Sequence, residues 1–492
     1  MNVDPVRIIG GNILVKDGFI ERRMLLGSYK KKGTNYVLAE DNLVNRLVLN
    51  LPLRQFNQVQ TPVDQRLLDY QIKDIQKMAS LGNCANFNRM GYGKTVETIE
   101  TLKLLNATDT VIVAPKPVCD QWLQQYKIWW PEMRHRVGVC KFDKETVILN
   151  YEKLLSTTTV VKLRSNRHHA VVFDEVHKLK NPKSKRSAAA KLIPANVHIG
   201  LTGTPILRKP DDLWSILNAV DPWYSGKSYW NFVNYFCNVV TGPFGREIKG
   251  ITTDSDKLQI LHQLLDLVTI RNPQIEIASG KRSVEILVQM TGKQRELYNK
   301  IRKLVLDELP QNCTISNGAV HALRLQQATS WPGLFDETIP GAKFEWIKEF
   351  CSNTDEQVLI LSKFAKTAHA LAQYLNDCGI SATLYTGMEK PREQQQNKLT
   401  FMTKQCQVLV GSISAVGTGV DGLQCARLGI MIDKDWSPEI NQQCEDRLHR
   451  RGQTEPVIWY YLNCAKSFDH HVGKINLTKA DSIRQALEDD HI

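Results

Sequence analysis

The spacing of hydrophobic positions along the chain changes near residue 60. Up to about residue 58, short apolar runs alternate with turns, as in RIIGGNILV and NYVLAEDNLVNRLVL, which predicts a small β-rich extension. Beyond it, strand-like apolar runs alternate with helical patterns, which predicts βα units on parallel sheets. A stretch at about 210–345 has mainly helical spacing. The pattern therefore predicts an α/β protein with two parallel sheets and helical inserts.

The clearest predicted strands form two groups, one on each side of that stretch. In the first half they are TVIVAP (110–115), TVILN (146–150), AVVFDE (170–175) and VHIGLTGT (197–204). In the second half they are QVLILS (357–362), SATLYTG (381–387), QVLVGS (407–412), LGIMID (428–433) and PVIWYYL (456–462). The domains that we predict are an extension (1–58), a first α/β domain (59–285) with a helical insert at about 210–280, a second (286–470) with a helical insert at about 290–345, and a tail (471–492).

Composition restricts the class of protein. The chain has 492 residues, enough for two or three domains with full cores. No run approaches the ~18 apolar residues of a membrane span, and the N-terminus has neither a signal-peptide nor a transit-peptide pattern. We therefore expect no membrane association and an intracellular protein, in the cytoplasm of a prokaryotic or phage-infected cell or in a eukaryotic nucleus. Eleven cysteines are scattered singly, without zinc spacing, so we expect free thiols and no structural zinc.

The chain is basic. Lysine and arginine number 63 against 51 for aspartate and glutamate, which gives a formal net charge of +12. An intracellular protein with this charge is expected to meet a polyanion, and nucleic acid is the commonest one. A basic surface kept for solubility is the alternative.

The segment NRMGYGKTVETIE, which begins at Asn88, has the second half of a phosphate-binding loop. The common pattern is G-x-x-x-x-G-K-[ST], and Asn88 stands where its first glycine belongs. Gly91 and Gly93 would let backbone amides curl around a phosphate. Lys94 would reach the β- and γ-phosphates of ATP, and the Thr95 hydroxyl would hold Mg²⁺. By itself, however, the segment could equally be a turn before a surface helix.

An acidic pair, Asp174 and Glu175, follows the predicted strand AVVF. Beside a phosphate loop, the first carboxylate of such a pair holds Mg²⁺ and the second orients and deprotonates the attacking water. A solvated strand end is the alternative. The position of the pair, about 80 residues after Lys94 and before LTGTP, favours the catalytic interpretation.

Two arginines, Arg447 and Arg450, lie three residues apart in QQCEDRLHRRGQ and would share one face of a helix. Two guanidinium groups beside a phosphate site can stabilise the charge of a transition state, because each offers fixed donors to several oxygens. A basic helix face exposed to solvent is the alternative.

In this order the motifs resemble the Swi/Snf-type branch of superfamily 2 helicases, which are ATP-driven double-stranded DNA translocases. The resemblance covers about residues 64–470. The adenine-recognition segment of that branch is matched by LLDYQIKDIQ, with Gln71 as its reading residue, and its phosphate loop, which also lacks the first glycine, by MGYGKT. Motif Ia is matched by VIVAPKPVCDQW, motif II by DEVHKLKN and the motif III region by LTGTPILRKPDDLW. Motifs IV to VI are matched by LILSKF, TLYTG, VLVGSISAVGTGVDGLQ and QQCEDRLHRRGQ. The tryptophan-proline segment that precedes motif VI in that branch is matched by DKDWSP. The spacing is most similar to the compact annealing-helicase and the phage or prokaryotic members.

The resemblance implies two RecA-like lobes with ATP and Mg²⁺ in the cleft between them. Lobe one would supply Lys94, Thr95, Asp174 and Glu175, and lobe two would supply Gln443, Arg447 and Arg450. It also implies contacts to DNA phosphates, since a translocase must accept any sequence. The candidates, by their positions in the matched motifs, are Lys116, Arg208, Lys363, Thr386, Ser412, Thr418 and Trp436. A plain surface or core role is the alternative for each of them.

Three functions are therefore open. The first is a monomeric DNA-dependent ATPase that translocates on double-stranded or branched DNA, remodelling DNA structures or displacing bound proteins. The second is a strand-separating DNA or RNA helicase, for which a hairpin within 210–345 could supply a wedge. The third is a non-enzymatic ATP-gated clamp, which would require a broken active site, whereas Lys94, Glu175 and Arg450 are all present.

Overall fold

A computed structural model describes most of the chain. The residues outside the description are 1–5, 22–23, 31–35, 55–58, 60–63, 90, 139–144, 204–210, 243–244, 272–279, 304–317, 418–419, 451, 474–475 and 477–492. The chain divides into two compact units, of which the first contains the described residues up to 271 and the second those from 280 onward. Each unit is described by itself below.

An antiparallel sheet begins the first unit. Its strands are β1 (Val6–Ile9), β2 (Asn12–Lys16), β3 (Tyr29–Lys30) and β4 (Tyr36–Glu40), in the order β1-β2-β4-β3. Alternate side chains of β2 and β4, namely Ile13, Val15, Val37 and Ala39, point into one small core, as the two-residue period of a strand requires. The predicted β-rich extension is thus confirmed.

The segment after β4 corrects one part of the sequence interpretation. The run LVNRLV, which we assigned to strands and turns, forms helix α1 (Leu43–Val48). Its apolar residues fit either period, and the Asn42 side chain decides between them because it caps the helix by accepting from the Asn45 backbone N–H at 2.9 Å.

A parallel sheet forms the centre of the first unit, in the order β13-β5-β10-β9-β6-β8-β7. Its strands are β5 (Cys84–Asn86), β6 (Thr110–Ala114), β7 (His135–Val137), β8 (Thr146–Asn150), β9 (His168–Asp174), β10 (Ala195–Leu201) and β13 (Thr269–Ile270). Helices cover both faces: Val111 and Val113 of β6 pack into one hydrophobic cluster, and Ile112 and Ala114 into another.

The helices of the first unit follow in chain order. They are α2 (Asp69–Leu81), α3 (Lys94–Leu104), α4 (Cys119–Trp129), α5 (Thr157–Ser165), α6 (Lys185–Ala190), α7 (Asp212–Val220), α8 (Pro222–Ser225), α9 (Tyr229–Phe236) and α10 (Ser255–Val268). Helices α7 to α10 thus lie in the predicted insert at 210–280. It also contains an antiparallel hairpin, β11 (Cys237–Gly242) and β12 (Gly245–Ile251), which the helical spacing did not indicate.

The second unit has a parallel sheet of its own, in the order β14-β19-β18-β15-β17-β16. Its strands are β14 (Lys281–Val288), β15 (Val358–Ser362), β16 (Ala382–Tyr385), β17 (Val408–Ser412), β18 (Leu428–Met431) and β19 (Val457–Cys464). Its helices are α11 (Gly292–Lys303), α12 (Gly318–Ser330), α13 (Ala342–Ser352), α14 (Ala365–Asp377), α15 (Pro391–Met402), α16 (Ile413–Gly417) and α17 (Pro438–Glu445).

The predicted α/β class with two parallel-sheet lobes is confirmed. The domain boundary that we predict between residues 285 and 286 falls inside β14. The two compact units of the structure meet in the chain after residue 274 instead. Within the described part of the chain, no helix combines the length and the apolar character that a membrane crossing requires.

Candidate nucleotide site

The loop between β5 and α3 has the backbone of a phosphate-binding loop. Gly93 has a φ of 90°, in the left-handed region that favours glycine, and α3 begins at the next residue. A Cβ atom at Gly93 would also collide with the Gln71 side-chain amide. The backbone conformation therefore favours glycine here, and a larger residue would in addition displace the end of the Gln71 side chain. The turn leaves the first N–H groups of α3 in a position to bind an anion.

Lys94 crosses this loop. Its ammonium donates to the carbonyl oxygens of Asn88 at 2.6 Å and Arg89 at 2.9 Å. The side chain is partly buried, as is that of Thr95 on the same first turn of α3. The structure thus brings the predicted lysine and hydroxyl together at one helix N-terminus.

Gln71 lies beside the loop, as predicted for a residue that reads adenine. Its side-chain oxygen accepts from the Leu68 backbone N–H at 3.1 Å, and its amide nitrogen lies 3.5 Å from the Tyr92 carbonyl oxygen. The Tyr70 hydroxyl donates to the same carbonyl at 2.8 Å. The start of α2 is therefore tied to the phosphate loop by two side chains.

Asp174 ends β9 in the middle of the sheet. Its Oδ2 accepts from the Trp122 indole N–H at 2.8 Å. Burial and the neighbouring carboxylate of Glu175 raise the pKa of Asp174, while the Lys94 ammonium acts in the opposite direction. A partly buried carboxyl group with a raised pKa is stabilised in its charged form by a cation. Asp174 and Thr95 therefore fit the chemistry of Mg²⁺, which prefers carboxylate and hydroxyl oxygen.

Glu175 adopts a φ of 52°, which is uncommon for a residue with a side chain and costs about 1–2 kcal/mol. Its Oε2 lies 3.1 Å from His177 Nδ1 and 3.5 Å from the Thr202 hydroxyl. His177 and Thr202 are themselves 3.0 Å apart. Two residues from two different strand ends thus hold the carboxylate that the sequence predicts to be the base.

Three residues that help to form this site, Trp122, His177 and Thr202, were not chosen from the sequence. Each lies inside a segment that the sequence interpretation quoted: Trp122 in VIVAPKPVCDQW, His177 in DEVH and Thr202 in LTGT. The sequence therefore indicated the segments that contain these residues, but not the residues themselves. Only the fold shows that their side chains reach Asp174 and Glu175.

In the second unit, α17 ends at Glu445, so the predicted arginines lie on the turns after the helix rather than on one helix face. Arg447 is 1% exposed, and its guanidinium donates to the Gly417 and Val420 carbonyl oxygens. Arg450 forms an ion pair with Asp421 and donates to the Asp446 carbonyl oxygen at 2.9 Å. Both arginines therefore hold the segment that follows α16, and Gln443 is buried on α17. Their roles toward a nucleotide stay predictions.

Two of the predicted DNA contacts meet on the surface of the second unit. The Lys363 ammonium lies 5.0 Å from the centre of the Trp436 ring. Both side chains donate to Oε1 of Gln326, Lys363 at 3.2 Å and Trp436 at 2.9 Å. Gln326 is 1% exposed and in turn donates to the Lys434 carbonyl oxygen. This cation–aromatic pair is thus built on a buried glutamine that the sequence did not indicate.

The other predicted contacts have different surroundings. Lys116 is exposed after β6. Thr386 and Ser412 are buried, and the Thr386 backbone N–H and hydroxyl both donate to the Glu389 carboxylate, at 2.6 and 2.8 Å. Arg208 and Thr418 lie outside the described residues. Contact of these residues with DNA stays a prediction.

Comparison with known proteins gives the family. Residues 70–330 match the SNF2-related domain, and residues 342–452 match the helicase conserved C-terminal domain. The first match alone covers more than half of the chain. The chain belongs to the SNF2-related family. The predicted membership in the Swi/Snf branch is therefore confirmed.

Curated relatives of this SNF2-related chain extend over most of its length. The human SWI/SNF-related matrix-associated actin-dependent regulator of chromatin subfamily A member 1 is 25% identical over 447 residues, which cover 80% of this chain and 41% of the relative. An ATP-dependent helicase of Mycoplasma pneumoniae is 26% identical over 430 residues, with coverages of 82% and 40%. The ATP-dependent DNA helicase DDM1 of Arabidopsis thaliana is 25% identical over 471 residues, with coverages of 83% and 60%.

The chain spans about two fifths of the length of the first two of these relatives. The names of the Mycoplasma and Arabidopsis relatives, both ATP-dependent helicases, agree with the predicted class of ATP hydrolase. Among solved structures, the Sulfolobus solfataricus SWI2/SNF2 ATPase core in complex with dsDNA is 21% identical, with a TM-score of 0.42, and the match covers 89% of this chain and 97% of that one.

Proposed function

We propose that this chain is a DNA-dependent ATPase that translocates on double-stranded or branched DNA, remodelling DNA structures or displacing bound proteins. The observation that carries the proposal is the arrangement in the first unit. A glycine-rich loop there leads into α3, and the Lys94 side chain crosses this loop. Asp174 at the end of β9 lies near enough for the positive charge of Lys94 to act on its pKa. Membership in the SNF2-related family and relatives named as helicases support it.

The residues of the first unit divide the work. Lys94 and the first N–H groups of α3 would bind the phosphates, and Thr95 and Asp174 would hold Mg²⁺. When bound, Mg²⁺ neutralises charge on the β- and γ-phosphate oxygens. Glu175, kept in place by His177 and Thr202, orients the attacking water and accepts its proton.

Gln443 and Arg450 of the second unit contact the same nucleotide in this proposal, and Arg447 contributes to the site indirectly. Arg450 already forms an ion pair with Asp421, so its contact with phosphate requires it to exchange one anion for another. Arg447 is buried, and both of its terminal guanidinium nitrogens donate to backbone carbonyl oxygens. We therefore assign the transition-state contact to Arg450 and the shaping of the segment after α16 to Arg447.

Contacts to DNA are assigned to phosphates rather than to bases. The net charge of +12 and the Lys363–Trp436 pair supply cations and an aromatic surface without a pattern that selects a sequence. The DNA substrate itself is inferred from relatives such as the ATP-dependent DNA helicase DDM1.

The experiment is a steady-state ATPase titration with duplex DNA, single-stranded DNA, forked DNA and double-stranded RNA of equal length at fixed salt. Duplex or forked DNA is expected to stimulate turnover most, because lobes that track both strands read the phosphate spacing of a B-form duplex. Glu175→Gln is the control for contaminating ATPases. Equal or greater stimulation by single strands would contradict the proposal.

A strand-separating helicase is the second candidate, and the hairpin of β11 and β12 favours it. The hairpin lies within the insert, and Val240 on it is 51% exposed. Parallel strand-displacement and triplex-displacement assays separate the two candidates. Triplex displacement without strand displacement supports the translocase, and displacement of a paired strand supports the helicase. A clamp without turnover is excluded by any DNA-stimulated ATPase that Glu175→Gln abolishes.

A further inference from the structure

Four polar side chains form a buried cluster beneath the phosphate loop. Asp74 comes from α2, Asn86 from β5, Asn88 from the loop and Glu97 from α3. Their exposed fractions are 6%, 0%, 1% and 0%. We call this group the loop-support cluster. Two of its members are carboxyl groups, which proteins seldom bury without a cation or several hydrogen bonds.

Asn88 is the centre of the cluster. Its side-chain nitrogen donates to Asp74 Oδ2 at 2.7 Å and to Glu97 Oε2 at 3.3 Å. Asn86 also donates to Glu97 Oε2, at 2.7 Å, and accepts from the Asn88 backbone N–H at 3.0 Å. Asn88 is thus held by its side chain and by its backbone N–H. The Asn88 backbone carbonyl accepts a hydrogen bond from the Lys94 ammonium.

Buried carboxyl groups are weak evidence of a role in stability. Apolar residues of similar volume would fill the same space without desolvating two carboxyl groups, and such exchanges are often neutral or stabilising. In addition, Glu97 Oε1 has no hydrogen-bond partner among the described residues. Instead, the two carboxyl groups fix the orientation of the Asn88 side-chain amide. Asp74 on α2 and Glu97 on α3 each accept a hydrogen bond from its nitrogen.

We propose that Asp74 and Glu97 are positioning residues of the nucleotide site, which fix Asn88 and thereby the loop carbonyl that holds Lys94 ready for the phosphates. The inference rests on the proposed nucleotide site. It also accounts for the departure of this loop from the common pattern. A glycine at position 88 has no side chain to be held, whereas Asn88 ties the loop to α2 and α3 at once.

Asp74 extends the same support to the helix that carries Gln71. The two residues are three positions apart on α2, so they share one face, and both are buried against the loop. Gln71 lies against the Tyr92 carbonyl and Asp74 holds Asn88, at opposite ends of the loop. A change in the cluster is therefore expected to alter nucleotide affinity more than the chemical step.

The test compares two substitutions of one residue. Glu97→Gln keeps an oxygen that can accept from Asn86 and Asn88, whereas Glu97→Met keeps the length of the side chain and removes the acceptor. We expect Glu97→Met to weaken the binding of a fluorescent ATP analogue about tenfold, which corresponds to one or two lost hydrogen bonds, and to raise KM more than it lowers kcat. Glu97→Gln is expected to stay within about twofold of the wild type.

A second measurement needs no turnover. In the absence of nucleotide, amide hydrogen exchange over residues 86–95 is expected to be faster in Glu97→Met than in the wild type and in Glu97→Gln. The matched control is Glu100→Met. Glu100 is a second buried acid of α3, 4% exposed, which pairs with Lys103 at 3.5 Å. Its substitution is expected to lower thermal stability and to leave both the affinity and the loop exchange unchanged.

The outcomes separate the possibilities. Wild-type affinity together with wild-type loop exchange in Glu97→Met would overturn the inference. An equal loss of affinity in Glu100→Met would also overturn it, because the effect would then come from a general loosening of α3. If Glu97→Met does not fold, Asn88→Gly takes its place, since glycine is the residue of the common loop at this position. This variant must then show weaker binding of the ATP analogue and faster amide exchange in the loop. If the wild type binds no nucleotide, the proposed function fails, and the exchange measurement still decides whether the cluster holds the loop.

Discussion

Replacement of Lys343 by methionine should show how the second unit holds the end of its sheet together. Lys343 lies on α13 with 0% exposure, and its ammonium forms an ion pair with Asp469 Oδ2 at 3.0 Å and donates to the Ile432 carbonyl oxygen at 2.7 Å. Asp433, also buried, accepts from Ser330 at 2.8 Å and Ser362 at 2.7 Å. The lysine is thus the cation beside two buried carboxyl groups.

The magnitude follows from what remains after the substitution. Removal of one partner from a buried ion pair costs about 3–5 kcal/mol, because the other charge is left buried and uncompensated. Here the Asp469 and Asp433 carboxylates would both lose the cation. We therefore expect Lys343→Met to lie at the upper end of that range near pH 8. Lys343→Met combined with Asp469→Asn should recover part of the loss, since one of the two uncompensated charges is then gone.

The pH dependence tests the cause. Burial lowers the pKa of Lys343, but the Asp469 and Asp433 carboxylates and Cys464 together raise it above its usual value, so in the wild type this ion pair is lost only as the pH rises above the usual lysine range. Burial already raises the pKa of Asp433. Lys343 acts to lower that pKa, so without it the folded-state pKa of Asp433 should rise further. The variant is then most stable below the unfolded-state pKa near 4 and loses stability as the pH rises.

The assay is amide hydrogen exchange of the β15 and β18 peptides in the full chain, because a chain of two units need not unfold in one transition. Lys348→Met on the same helix is the control, since the described residues give Lys348 no ion pair. A loss below about 1 kcal/mol, or the same loss at pH 5 and pH 8, would refute the reasoning.

Three further substitutions test the nucleotide site. Lys94→Ala should abolish ATP turnover and leave DNA binding in a filter assay largely intact, because the lysine contacts phosphates of ATP and not of DNA; loss of DNA binding would contradict this. Glu175→Gln should bind ATP but fail to hydrolyse it, and wild-type-like turnover of the purified variant would remove Glu175 as the base. Arg450→Ala should slow hydrolysis by about 10³ or more with little change in ATP affinity, whereas weaker ATP binding with surviving turnover would make Arg450 a ground-state binder.

Strands buried on both faces could be predicted from the sequence because they are uninterrupted apolar runs. All residues of β6 and β15 are buried, and both strands lie where TVIVAP and QVLILS predict them. β14 was missed because its residues alternate between exposed and partly buried, and it follows a helical pattern. The hairpin of β11 and β12 was missed for the same reason, since few of its side chains are buried.

Some residues of the candidate sites could likewise be predicted from the sequence, and others could not. Lys94, Asp174 and Glu175 could be chosen because each lies in a short motif whose chemistry depends on neighbours in sequence. Gln326 could not, because its partners Lys363 and Trp436 are 37 and 110 residues away. Asn88 was noticed only as a departure from the common loop. Its contacts to Asp74 and Glu97, 14 and 9 residues away, come from the packing of α2 and α3 on β5.

The cations that we assign to phosphate have oxygen partners within their own units. Lys94 is held by two loop carbonyls, and Arg450 by the Asp421 carboxylate. Such partners lower the cost of a partly buried cation. The Lys94 ammonium can keep its two carbonyl contacts and donate its third hydrogen to a phosphate, whereas the Asp421 carboxylate must be exchanged before Arg450 can contact a nucleotide. The Arg450–Asp421 pair is the easier of the two to test, because the Asp421 side chain is 49% exposed and a pair of this kind is worth at most about 1 kcal/mol.

Asp421→Asn should therefore favour the exchange. With the competing charge removed, ATP turnover is expected to rise by up to about fivefold, the equivalent of that 1 kcal/mol, and Arg450→Ala in the same background should abolish the gain. Glu356→Gln, which breaks the comparable ion pair of Arg427 elsewhere in the second unit, is the control and should leave turnover unchanged. If Asp421→Asn lowers turnover instead, the carboxylate holds Arg450 in its active position, and the ion pair is part of the catalytic arrangement rather than a competitor of the phosphate.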